Sequence, residues 1–291
     1  PNYNLSHRLM NIKNNEVAVA TFVLALAPFL SVLDLTLVNI ILPHIAGGYG
    51  ATPNEATLAI TFFAIAQAIA MPLSGTLAQR FGVVRMFLLS LAGFSVASFL
   101  CGIAPSLDAL VASRVLQGLA AGPIIPLSQS IMQRTFPPRY VPMALTVFGV
   151  AMMSGPLVGP ALGGLLADTV GWRWGFFVNV PIAAACILLS ARMFTKYEST
   201  IVKQPVDGVG LGLMIVWVSA VQIVLDQGRD FEWFASPMIV GLSVVAAVAF
   251  VAFLIWELTD AHPIVDLSVF RYRSFSIAAT ITAVSYGAGT G

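Results

Sequence analysis

Asp34 and Arg114 carry opposite charges inside two long apolar runs, Val17–Leu42 and Leu107–Met132. A bilayer crossing takes about 20 apolar residues, and both runs are long enough. A guanidinium within such a span costs roughly 2.5 kcal/mol or more unless a partner answers it. Ionisable residues inside spans mark ion and proton pathways, and two of opposite sign on separate spans point to a proton- or ion-handling core. A carboxylate beside a movable cation can load and unload a proton as the cation withdraws and returns. The same two residues also read as a structural salt bridge that pins two helices. Gln117 follows Arg114 by three residues and shares its helix face. It can bond the guanidinium or a ligand, so it is a candidate for the substrate cavity. Asn39 lies five residues after Asp34, about 140° round a helix. It is expected to bond a neighbouring helix, as are the lone amides Gln67 and Gln129.

The elements that must position these residues are membrane helices. The chain is 58% hydrophobic and 9% charged, against about 25% charged in a soluble domain. Its mean hydropathy is +0.90. About nine spans are expected: Val17–Leu42, Ala56–Ala78, Met86–Ile103, Leu107–Met132, Met143–Ala167, Trp174–Ala191, Gly208–Leu225, Met238–Trp256 and Ser274–Gly291. The runs are apolar on all sides, which suits helices rather than the alternating strands of a barrel. The fold class is therefore an all-α polytopic membrane protein. The chain starts at Pro1 and its last apolar run reaches Gly291 without a polar flank, so a fragment is expected.

Composition and motifs also exclude several functions. A net charge of +1 gives no bulk field for nucleic acid. Zinc-ligand spacing, a phosphate-cradling Gly-Lys-Ser/Thr loop, H-E-x-x-H and G-x-S-x-G are all missing from the sequence. No enzyme activity, metal or cofactor is expected. Cys101 and Cys186 lie in apolar runs and read as small core residues.

Orientation follows from the cations. With the N-terminus inside, the inner segments hold Arg8, Lys13, Arg80, Arg85, Arg134, Arg139, Arg192, Lys196, Lys203, Arg271 and Arg273, and the outer loops hold Arg173 and Arg229. Asp34 and Arg114 then lie at matching depth, roughly 10–12 Å below the outer boundary at 1.5 Å per residue. The polar stretches divide the chain. Residues 1–16 form a cytoplasmic tail, 17–194 a six-helix bundle, 195–258 a linker and an inserted helix pair, and 259–291 a linker with the first helix of a second bundle.

Two further segments have distinctive chemistry. In the fifth span, Gly155, Gly159 and Gly163 recur every fourth residue, interleaved with Pro156 and Pro160. Such a stripe lets helices approach closely, and each proline removes a backbone donor. A bent, flat helix suits an interface that rocks or seals; ordinary close packing would need the glycines alone. The inner loop between the second and third spans holds Gly75, Arg80, Gly82 and Arg85, with Gly82 free to turn tightly.

At these residues the chain resembles the major facilitator superfamily, and within it the fourteen-helix drug:proton antiporters of the EmrB type. The resemblance rests on Leu33-Asp34-Leu35-Thr36-Leu37-Val38-Asn39-Ile40-Ile41-Leu42-Pro43, on Arg114-Val115-Leu116-Gln117-Gly118 and on the Gly-Pro run of the fifth span. It extends to Trp172-Arg173-Trp174, Phe176-Phe177-Val178-Asn179-Val180-Pro181 and Trp256-Glu257-Leu258-Thr259-Asp260 with Pro263-Ile264-Val265-Asp266-Leu267. One departure is Gln79, where the inner-loop motif of that family usually has an acid. The resemblance implies two helical bundles with alternating access and a site near the midplane between them. It implies proton-coupled export of lipophilic or amphipathic compounds, with Asp34 as the proton-coupling acid and Arg114 as its tuner or relay. The implied setting is a bacterial inner membrane, with a periplasmic adaptor and an outer-membrane channel as partners. Competing readings are a proton-coupled symporter of a small solute, a channel, and a membrane sensor or scaffold that moves nothing.

Overall fold

The computed structural model describes residues 14–201, 207–260, 263–265, 267–273 and 275–281. Arg8, Lys13, Lys203 and most of the expected ninth span lie outside them; residues 275–281 of that span are helical. The chain divides into two compact units, Pro1–Lys203 and Gln204–Gly291.

The first unit is a bundle of six spans. Its helices are α1 (Asn14–Tyr49), α2 (Pro53–Phe81), α3 (Val83–Ile103), α4 (Leu107–Ala121), α5 (Ile124–Thr135), α6 (Val141–Thr169), α7 (Trp174–Phe177) and α8 (Asn179–Phe194). Local chemistry sets their ends. Thr52 and Glu55 form a capping box at the start of α2, which satisfies two donors that a helix leaves orphaned. Ser106 caps α4 through the Ala109 amide. At the far end of α3, Arg173 donates to the Gly102 and Ala104 carbonyls and Tyr49 donates to Ala104. A cation on the last carbonyls of a helix also favours its negative pole.

Two expectations are corrected here. The fourth span is not one uninterrupted helix: α4 and α5 meet at Gly122-Pro123. Pro123 has no amide to donate, so the ladder is broken there. Nor is Gly75–Gly82 a loop. Helix α2 runs through Phe81, and Gly82 alone, at φ 93°, makes the turn into α3. Gly75 and Arg80 are therefore helical.

Close approach between helices depends on glycine at two seams. A Cβ on Gly118 would meet the Phe63 carbonyl oxygen, and one on Gly122 would lie 2.7 Å from Ala70 Cβ, so α4 lies directly on α2. On α6, Gly155, Gly159 and Gly163 face α1 at Val32, Thr36 and Ile40. Thr36 Oγ1 donates to the Gly155 carbonyl at 3.3 Å. Pro156 and Pro160 are exposed, and α6 continues through both. Gln67 on α2 donates to Ser31 on α1 at 3.4 Å, the helix-to-helix role expected of it. Asn39 differs from expectation: it is exposed and donates to Leu35 of its own helix.

The second unit contains α9 (Gly208–Gln227) and α10 (Pro237–Thr259). Asp207 caps α9 through the amides of Val209 and Gly210 and also accepts from Trp256 Nε1. Trp217 packs on Phe250 at 5.1 Å. Helix α10 continues past Trp256, the expected end of its span, and so includes Glu257, which is buried and accepts from the Val265 amide. In all, eight helical stretches of the described residues are long and apolar enough to cross a membrane.

The seam between α1 and α6 makes a direct prediction. Gly159→Leu overpacks against Thr36 and should cost about 1–3 kcal/mol. Gly164→Leu, where a Cβ meets nothing within 4 Å, should melt like the parent. Thermal unfolding of the detergent-solubilised protein compares them; equal melting of the two variants would contradict the seam.

Candidate functional site

Asp34 and Arg114 meet inside the first unit. Both are fully buried, and Arg114 Nη1 donates to Asp34 Oδ2 at 2.5 Å. Asp34 comes from α1 and Arg114 from α4, which the glycines at 118 and 122 draw close to α2. Arg114 Nε donates to the Ala59 carbonyl of α2 at 3.2 Å. The Phe63 ring lies 3.9 Å from the guanidinium carbon, and the Phe176 ring lies 5.9 Å away. A desolvated cation over an aromatic face gains about 2 kcal/mol. The apolar interior therefore answers the guanidinium in three ways: by a carboxylate, by a carbonyl and by a ring face.

Gln117 joins the same cluster. Its Oε1 accepts from Arg114 Nη1 at 2.7 Å, and its Nε2 donates to Asp34 Oδ1 at 2.9 Å. Cys101 on α3 donates to the same Oε1 at 3.5 Å. Gln117 was expected to bond the guanidinium or a ligand, as a candidate for the substrate cavity. It bonds the guanidinium and is wholly buried, with both amide atoms committed to the ion pair and its surroundings.

Sequence reasoning missed one member. Asn179, at the start of α8, donates Nδ2 to Asp34 Oδ1 at 2.6 Å and to Ser98 Oγ at 3.0 Å. Ser98 in turn donates to the Phe176 carbonyl at 2.9 Å. The signal available was an amide inside the Phe176–Pro181 motif, close to the end of an apolar run. Asp34 thus accepts three hydrogen bonds, from α4 twice and from α8 once. The other expected site residues lie elsewhere: the glycines on the opposite flank of α1, and Arg85 in the first turn of α3.

The chemistry follows from this closure. Asp34, Arg114, Gln117 and Asn179 all have no exposed surface. Asp34 therefore offers no surface on which solvent could deliver a proton directly. Two buried polar atoms, Arg114 Nη2 and Asn179 Oδ1, have no hydrogen-bond partner among the described residues. Such orphaned atoms cost free energy in a low-dielectric interior, and they leave the cluster short of full satisfaction. Among the described residues, no group of three His, Cys, Asp or Glu side chains is placed to hold a metal.

Paired ionisable residues facing the interior of a bundle of membrane helices mark a candidate ion- or proton-handling core. Residues 24–291 match the Major Facilitator Superfamily model, and the chain belongs to that family. It is a multi-pass membrane protein. It is 45% identical over 283 residues to the Multidrug export protein EmrB of Haemophilus influenzae, covering 97% of this chain and 56% of that one. It is 42% identical to the Fatty acid resistance protein FarB of Neisseria gonorrhoeae, over 94% of this chain and 54% of that one. The chain spans about half the length of these relatives. The fold is also that of a peptide transporter POT crystallised with sulfate, at a TM-score of 0.61 and 16% identity, covering 83% of this chain and 53% of that one.

The cluster predicts how its members depend on one another. Arg114→Ala leaves a buried carboxylate without its cation and should destabilise the bundle by about 3–5 kcal/mol. Arg114→Lys should recover only part, because an ammonium does not reproduce the planar fork. In a double-mutant cycle with Asp34→Asn, the two losses should be strongly non-additive. Additive losses in denaturant titrations would mean that the two residues act independently.

Proposed function

We propose that the protein is a proton-coupled exporter of hydrophobic or amphipathic compounds that works by alternating access. The observation that carries this reading is the sealed Asp34 carboxylate, tied to α4 and α8 by Arg114, Gln117 and Asn179. Protonation of Asp34 removes its charge and weakens its hold on all three donors. The helices are then freer to separate, and separation admits water to the carboxylate. Proton binding and helix rearrangement are thereby linked in both directions. Arg114 supplies the competing positive charge and draws the proton off when the cluster re-forms. The glycine seam lets α6 lie flat on the opposite side of α1, where it can bear the movement of that helix.

The multidrug export and fatty acid resistance proteins among the relatives support lipophilic and amphipathic substrates. The cation distribution supports a cytoplasmic N-terminus, and the EmrB-type likeness supports a bacterial inner membrane. We assign residues 1–16 to a cytoplasmic tail, 17–194 to the N-terminal bundle, 195–258 to a linker and inserted helix pair, and 259–291 to the opening of the second bundle. The outer loop of the inserted pair, Asp226–Trp233, with Asp226, Arg229, Asp230 and Glu232, is the proposed docking feature for a periplasmic adaptor that hands substrate to an outer-membrane channel.

The coupling role is tested with the full-length protein in liposomes under an imposed pH gradient. Asp34→Asn keeps the shape and one acceptor oxygen but leaves the buried Arg114 charge unmatched, so its insertion and folding are measured beside its transport. Gradient-driven movement of a lipophilic dye should fall to the level of empty liposomes. Dye movement at the parent rate would remove Asp34 from the coupling mechanism.

A further inference from the structure

The start of α3 has no cap of its own. Its N-cap residue is Gly82, which has no side chain to offer the first amides of the helix. The first three donors are nevertheless all taken. Val83 N donates to Ser199 Oγ at 3.1 Å, Val84 N to Glu198 Oε1 at 3.0 Å and Arg85 N to Glu198 Oε2 at 2.9 Å. The fourth, Met86 N, returns to the Gly82 carbonyl at 3.0 Å, within the helix. A carboxylate at this position also faces the positive pole of the helix dipole. Arg85 Nε lies 3.9 Å from Glu198 Oε2, and Ser199 N donates to Glu198 Oε1 at 3.0 Å.

Glu198 and Ser199 belong to the segment that leaves α8 through the 3-10 turn Thr195–Tyr197. They are more than 110 residues from the amides they cap. The turn is built for this carboxylate. A Cβ on Gly82 would lie 2.5 Å from Glu198 Cδ and Oε1, and Gly82 holds φ at 93°. The Glu198 side chain is 19% exposed, so its charge is largely withdrawn from water.

We propose that Glu198 and Ser199 are a positioning pair for transport: they latch the linker leaving α8 to the α2–α3 turn, so that this end of the bundle moves as one piece. The transport consequence rests on the exporter reading above; the latch itself does not. The test is amide hydrogen exchange on the full-length protein, combined with dye export in liposomes, for Glu198→Ala, Glu198→Gln and Ser199→Ala. Exchange at residues 83–85 should speed up about tenfold in Glu198→Ala, as expected for a lost helix cap. It should speed up less in Glu198→Gln, which keeps a neutral acceptor, while exchange in 107–121 stays unchanged. Export turnover should fall in the same order, with the dye concentration for half-maximal rate unchanged. Parent-like exchange at 83–85 in Glu198→Ala would overturn the latch. Faster exchange with parent-like turnover would overturn its role in transport. Absence of gradient-driven dye export by the parent protein would strike the exporter reading and leave the exchange result standing.

Discussion

The first unit is organised around one buried carboxylate. Asp34 is a negative charge in an apolar bundle, and such a charge persists only if it is matched and hydrogen-bonded. The match comes from Arg114, and the remaining bonds come from Gln117 and Asn179. Much of the local packing serves that match. Gly118 and Gly122 let α4 approach α2 closely enough for Ala59 and Phe63 to reach the guanidinium. The Trp172–Phe177 segment brings the Phe176 ring to 5.9 Å from the guanidinium carbon and leads into Asn179. Anything that changes the charge on Asp34 changes the attachment of α1 to both α4 and α8.

Helix α1 has two working flanks. Asp34 faces α4 and α8, while Val32, Thr36 and Ile40 face the glycines of α6. Residues 34 and 36 are about 200° apart on a helix, which is why one element can serve both contacts. The α6 contact sets glycines against Val32, Thr36 and Ile40 and includes a hydrogen bond from Thr36 to the Gly155 carbonyl, with His44 of α1 lying 3.8 Å from Asp168 of α6 further along. The Asp34 contact is electrostatic and directional. In the proposed mechanism, a change of protonation loosens the second while leaving the first as a bearing surface. The prolines of α6 sit on the exposed side and do not touch this seam.

Much of this was legible in the sequence, because membrane spans leave few places for charge to hide. Asp34 and Arg114 stand out as ionisable residues within apolar runs, and the three-residue offset puts Gln117 beside Arg114. Their mutual contact was less accessible, since matching depth does not fix which faces meet. Asn179 escaped notice because an amide near the end of a span reads as an ordinary boundary residue. Gly118 and Gly122 were overshadowed by the longer stripe in α6, although the same small-residue spacing was present. Pro123 was submerged in a run whose hydropathy alone suggested one helix. The Glu198 cap pairs residues more than 110 positions apart, and no local period in sequence reports such a contact.

The central claim is that Asp34 changes protonation state within this cluster. Infrared difference spectroscopy of the membrane-reconstituted, full-length protein across a pH titration reads protonated carboxyl groups directly. The account predicts a protonated-carboxyl band that disappears in Asp34→Asn and shifts in Asn179→Ala, because Asn179 bonds the same oxygen. A spectrum unchanged by Asp34→Asn throughout the titration would contradict it, leaving the pair with Arg114 as a structural bond alone.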